Sequence, residues 1–129
     1  MKRIVCIFFA SLLLTGCAAD RTLECRVVTG VQVQYQMPEG QLTRVYTRQE
    51  SIQSVLNYLR MLEPTGVATP QQETDFTCRF TVHYSHGADT VYFQQGCHCL
   101  RREDEGWKEI NDAQARLLYP LLLLLPSDQ

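Results

Sequence analysis

"FTCRFTVHYSHGADTVYFQQ", residues 76–95, reads as two strands joined by a turn. Phe76, Cys78, Phe80 and Val82 alternate with polar neighbours, the period-two pattern of a strand with one wet face. Ser85-His86-Gly87-Ala88 supplies turn chemistry. Asp89 to Gln94 then returns, and a register that packs like against like sets Val82 opposite Val91 and Phe80 opposite Phe93. A hairpin of this kind implies an antiparallel sheet, and strands with one apolar face need a second layer to cover it.

Upstream, Cys25, Val27, Val31, Val33 and Tyr35 share one parity, while Arg26, Gln32 and Gln34 share the other. Pro38-Glu39-Gly40 turns this strand into a second, Leu42 to Tyr46. Thr47-Arg48-Gln49-Glu50 has the form of a capping box, and Ile52, Val55, Leu56, Leu59 and Leu62 follow at helical spacing. The pattern predicts a helix over 48–62, ended by Pro64 and Gly66, with a polar loop over 65–74.

Downstream, Gln95-Gly96 turns into a fifth strand, Cys97 to Arg102, and Asp104-Glu105-Gly106 leads into Trp107 to Ile110. Asn111, with Gln114 as box partner, caps a last helix carrying Ala115, Leu117 and Leu118. Pro120 should kink that helix before Leu121–Leu125. The order ββ-α-βββ-α predicts an α+β two-layer sandwich: an antiparallel sheet of about five strands with two helices on one face. The leucine run is too short to cross a bilayer. It is expected to wedge between the sheet and the 48–62 helix, the alternatives being a dimer contact or the bilayer surface.

The chain opens "MKRIVCIFFASLLLTGCAAD", residues 1–20. Lys2 and Arg3 precede an apolar stretch, Ile4 to Leu14, far short of the roughly 20 residues of a spanning helix. Leu14-Thr15-Gly16-Cys17 follows. This segment resembles the export signal of bacterial lipoproteins, with its small residues before a cysteine. The resemblance implies diacylglyceryl transfer to Cys17, cleavage after Gly16 and acylation of the new amino group. Two or three acyl chains hold a domain on a membrane where one holds it only marginally. The expected organisation is a signal peptide at 1–16, the lipidated cysteine and a short tether at 17–24, and a single α+β domain at 25–129. The location expected is the extracytoplasmic face of the cell membrane, or the outer membrane in a two-membrane cell, where a residue such as Ala18 rather than Asp permits onward transport.

Over residues 25–128 the segments "YTRQESIQSVLNYLRMLEP", "DTVYFQQG", "EGWKEI" and "LLLLPSD" resemble small uncharacterised exported proteins of Gram-positive gut anaerobes. That resemblance implies a fold and a compartment and supplies no catalytic residue. Formal charge is −2, and loss of Lys2 and Arg3 would make it about −4. Basic residues do not cluster beyond Arg101-Arg102, which Glu103-Asp104-Glu105 answers at once, so nucleic acid is not an expected partner.

Outside the cytoplasm cysteines can pair. Cys25 and Cys78 share faces with apolar neighbours and form a candidate disulfide if their strands adjoin. Taking Leu100 as the inward residue of the fifth strand turns His98 inward and Cys97 and Cys99 outward. Cys97 and Cys99, about 6.5 Å apart by strand rise, would then make a strained redox pair or half a metal site, or have no chemical role. His83 and His86 flank the turn with Asp89 just beyond, the makings of an oriented base, yet no nucleophile motif stands near them. Tyr92 and Trp107 suit a sugar or peptide surface, or a lid on the core.

No cofactor is expected. The function anticipated is a non-enzymatic binding domain that meets an envelope protein, cell-wall material or a small ligand through the exposed sheet face or the hairpin tips. The alternative is thiol redox or metal handling at Cys97 and Cys99, and a hydrolase around His83, His86 and Asp89 is the third. Intact-mass analysis of membrane-extracted protein checks the anchor: the expected chain begins at a lipid-bearing Cys17, and an unmodified chain retaining Met1 overturns that expectation.

Overall fold

The computed structural model describes residues 26–62, 64–67 and 76–128. The chain divides into two compact units, one of Met1–Val27 with Ser85–Gly87, the other of Val28–Tyr84 with Ala88–Gln129. In the first, the described residues are Arg26, Val27 and the tip Ser85–Gly87. There the Ser85 amide donates to the Val27 carbonyl at 2.8 Å. Gly87 takes φ +87°, a backbone conformation that calls for glycine.

The second unit is an α+β body built on one antiparallel sheet. Its elements are β1 (Val28–Met37), β2 (Gly40–Tyr46), α1 (Gln49–Met61), β3 (Pro64–Val67), β4 (Thr77–Tyr84), β5 (Thr90–Gln95), β6 (Cys99–Arg102), β7 (Lys108–Ile110) and α2 (Asp112–Leu124). The seven strands lie in the order β2-β1-β4-β5-β6-β7-β3. The two beyond the expected five are short: β7, and β3, which sequence reading placed in a loop. Exposed on every residue, "PTGV" has no alternation to betray a strand; it forms by pairing with β7.

Val31, Val33 and Tyr35 of β1 are fully buried and pair with Val82, Phe80 and Cys78 of β4. Tyr58 of α1 packs on Phe80 with ring centroids 5.9 Å apart, and Tyr119 of α2 meets Tyr35 edge-on at 6.3 Å. Phe80 and Tyr35 point to the same side of the sheet, so both helices cover that one face. Helical spacing explains the rest: Ile52, Val55 and Tyr58 recur on one side of α1, and Ala115, Tyr119 and Leu122 on one side of α2. The leucine run only partly enters this core. Leu122 is buried, whereas Leu117, Leu121 and Leu124 are 74%, 63% and 77% exposed. Pro120 lies inside α2 on its exposed side.

The β4–β5 register differs from expectation by one residue. Phe80 faces Tyr92, Val82 faces Thr90, and Arg79 faces Phe93. Because side chains alternate across a sheet, this shift moves Phe93 and Val91 to the face opposite the helices. The buried Gln94 shows why it holds. Gln94 sits on the helix side, accepts from the Tyr58 hydroxyl at 2.7 Å and donates to the Gly96 carbonyl at 2.9 Å. Near the start of β1 a bulge between Val28 and Gly30 breaks the alternation, so Val27 is 55% exposed rather than inward. Cys25, assigned to the same face by parity, lies outside the described residues, as does Cys17.

Helix caps follow two rules. Asn111 caps α2 as its sequence implies, accepting from the Gln114 amide at 3.0 Å. The Thr47–Glu50 box does not form: the α1 N-cap is Arg48, with no side-chain cap of its own. Asp128 instead braces the entry to the helix, with Oδ2 accepting from the Thr47 and Arg48 amides just before it at 2.8 and 2.9 Å and Oδ1 from the Ser51 hydroxyl of its first turn at 3.2 Å. A carboxylate satisfies three donors at once where the Thr47 hydroxyl would satisfy one. Those amides hold the Asp128 carboxyl below the ordinary carboxylate range. The same C-terminal strap meets β2, where Arg44 donates to the carbonyls of Leu123 and Leu125, Tyr46 to Leu125, and the Asp128 amide to Val45.

Paired substitutions test the register. Phe80→Ala should lower stability in chemical denaturation by about 3–5 kcal/mol, and Phe93→Ala, which empties no core space, by about 1 kcal/mol. Equal losses would contradict the observed pairing.

Candidate functional site

The helix-free side of the sheet carries the most organised chemistry. Register aligns Gln34 of β1, Arg79 of β4, Phe93 of β5 and Arg101 of β6 in one row across four strands. Beside it runs a second row: Gln41, Gln36, Thr77, Gln95 and Cys99. The glutamines reach this face because they are the polar-parity residues of strands whose other parity fills the core.

Phe93 lies between two cations. The Arg101 guanidinium sits 4.7 Å from its ring centroid and the Arg79 guanidinium 5.9 Å. Trp107 extends the stack, its ring 5.3 Å from the same Arg101 carbon. Each such contact contributes about 0.5–1 kcal/mol at an exposed site and holds a flat charged group beside a flat apolar one. Arg101 is further fixed by donating to the Glu103 carbonyl at 3.1 Å. Arg79 is exposed and makes no hydrogen bond or ion pair with any described residue. Together these rows line a concavity of about 360 Å³.

No carboxylate lines that concavity among the described residues. Asp104 and Glu105 are drawn instead to Arg102, at 2.7 and 3.2 Å, and Glu105 also meets Lys108 at 3.5 Å. Glu109 shares the sheet face but lies at its far side, against Thr65. A larger groove of about 460 Å³ runs between α1 and α2, lined by Met61, Leu118, Leu121 and Leu122. Ser54 and Asn57 bring it hydrogen-bonding side chains, but among the described residues no charged group lines it.

Trp107 thus packs on a guanidinium rather than lidding the core, and Tyr92 falls on the helix side opposite Phe80. They cannot form one platform; Phe93 takes the place that sequence reading gave Tyr92. Arg79 escaped notice too, and Arg101 was read only as half of a basic pair answered by Glu103-Asp104-Glu105, although the polar parity of Gln32 and Gln34 was visible as the wet side of a strand.

The cysteines separate. Cys78 faces the core as expected, and burial pushes its thiol up to about 12, with the Tyr119 hydroxyl offsetting and Cys97 adding to the shift. Cys97 was expected outward, yet it joins the same core cluster. The reason is that β6 begins at Cys99; residues 96–98 are a turn, with Gly96 at φ +56°, and strand alternation does not run through it. His98, expected inward, is half-exposed in that turn with Nδ1 3.7 Å from an Asp112 oxygen. Cys99 is buried on the open-face side, beside Gln95, and burial raises its thiol. Cys97 and Cys99 therefore do not share a side of the sheet. No disulfide links any two of Cys78, Cys97 and Cys99. Among the described residues no cluster of three histidines, cysteines or carboxylates is placed to hold a metal ion.

His83 and Asp89 do meet, Nδ1 to Oδ2 at 3.1 Å, with both side chains nearly half exposed. His86 takes a different partner, Ser85, at 3.2 Å.

Thiol chemistry yields a direct check. With thiolate formation suppressed by burial, Cys78 and Cys99 should react with iodoacetamide at pH 8 at least about a hundredfold more slowly in the native protein than after denaturation. Rapid native labelling of Cys99 would restore it as a reactive thiol. No described helix is long and apolar enough to cross a membrane. No family model, curated protein or solved structure matches the chain, so the case for a function rests on the two rows of side chains just described.

Proposed function

We propose that this chain is a membrane-anchored lipoprotein whose folded domain is a non-enzymatic binding module, and that it takes its ligand on the open face of the sheet. The observation that carries the reading is the Arg79–Phe93–Arg101–Trp107 stack on the side the helices leave uncovered. Rings and guanidinium groups held in such an array need no rearrangement to bind, which lowers the entropic cost of association. Flanking amides supply donors and acceptors for a polar ligand. The anchor rests on the lipoprotein-like segment ending at Cys17, and a tether of only a few residues keeps the domain close to the bilayer.

Catalysis is the weaker reading. His83 and Asp89 are each nearly half exposed, with no hydrogen bond to a nucleophile among the described residues, and a redox pair at Cys97 and Cys99 would need thiols on one side of the strand.

The test is retention of the purified domain on insoluble envelope material from a bacterial cell. Phe93→Ala and Trp107→Ala should each weaken retention about tenfold or more with the fold intact by circular dichroism. Leu121→Ala, on the helix side, should leave it unchanged. Unaltered retention in both aromatic variants would remove the open face from consideration.

A further inference from the structure

Resting on the open-face reading, we infer that the ligand is a sugar carrying a carboxylate. Charge gives the first half of the argument. The chain has a formal charge of −2, yet this concavity holds two guanidinium groups and, among the described residues, no acid. Asp104 and Glu105 are engaged by Arg102 and Lys108 instead. Among the described residues Arg79 has its aromatic contact alone, which leaves its planar donor fork to an incoming carboxylate.

Shape and hydrogen bonding give the second half. Phe93 and Trp107 present apolar surface of the kind that covers the C–H faces of a pyranose ring. Gln34, Gln36 and Gln41 present amides, each both donor and acceptor, as an array of hydroxyls requires. A peptide is served less well. Extended peptides bind by adding a strand to a sheet edge, and apart from Gln41 of the edge strand β2 the strand residues of this concavity come from β1, β4, β5 and β6, interior strands whose backbone groups are already paired. Its volume of about 360 Å³ suits a small ligand rather than a folded partner.

The experiment is titration of the intact domain, followed by Trp107 fluorescence and calorimetry, with digalacturonate, cellobiose and trialanine as probes. Digalacturonate should bind at least tenfold more tightly than cellobiose, and its advantage should shrink as salt is raised. Arg79→Gln, an exposed change, should reduce digalacturonate to the affinity of cellobiose, while Phe93→Ala should abolish both. Equal binding of the acidic and neutral sugars, or tightest binding of trialanine, overturns the ligand class. So does retention on envelope material through Phe93 and Trp107 with no response to either sugar, a result that leaves the open-face reading standing. Loss of both envelope retention and sugar binding in the unmodified domain overturns the two together.

Discussion

The hydrogen bond from the Tyr58 hydroxyl to the buried Gln94 amide ties α1 to the centre of the sheet and fixes which side of β5 is which. An unsatisfied amide in that position costs about 1–3 kcal/mol, and a one-residue slip of the hairpin would carry Gln94 away from Tyr58 and bring Phe93 under the helices. The slipped pairing would bury Phe93 and Val91 but give up the hydrogen bonds of Gln94 to Tyr58 and Gly96. Phe93 is therefore held outside because a glutamine is held inside.

The sheet consequently divides its labour. Its covered side holds Val31, Val33, Tyr35, Phe80 and Val82, and there nearly every side chain is committed to packing. The uncovered side is built from the intervening residues of the same strands, so its geometry inherits the rigidity of the core without contributing much to it. A charged and aromatic surface on interior strands is more firmly placed than the same residues would be on a loop.

Much of this architecture could be read from residue order. Alternation in 31–35, apolar spacing in 52–62 and the Asn111–Gln114 cap are local signals, and each element they describe is present. What escaped reading is non-local. The hairpin register depends on Gln94 meeting a helix 36 residues away in sequence. The brace at the entry to α1 comes from Asp128, some 80 residues distant. The inward turn of Cys97 follows from where β6 begins, which strand pairing decides. The open face of the sheet was legible only as a wet parity; the step from wet parity to a stack of Arg79, Phe93, Arg101 and Trp107 needs the alignment of four strands and of the segment leading into β7.

The C-terminal strap has a consequence for how the molecule comes into being. Residues 123–128 complete the outer strand β2 and supply the entry to α1 with its acceptor, although both elements leave the ribosome long before them. A nascent chain halted before Ser127 would keep β2 and the entry to α1 unbraced. Vectorial synthesis thus delays the bracing of β2 and of the entry to α1 until residues 123–128 have emerged.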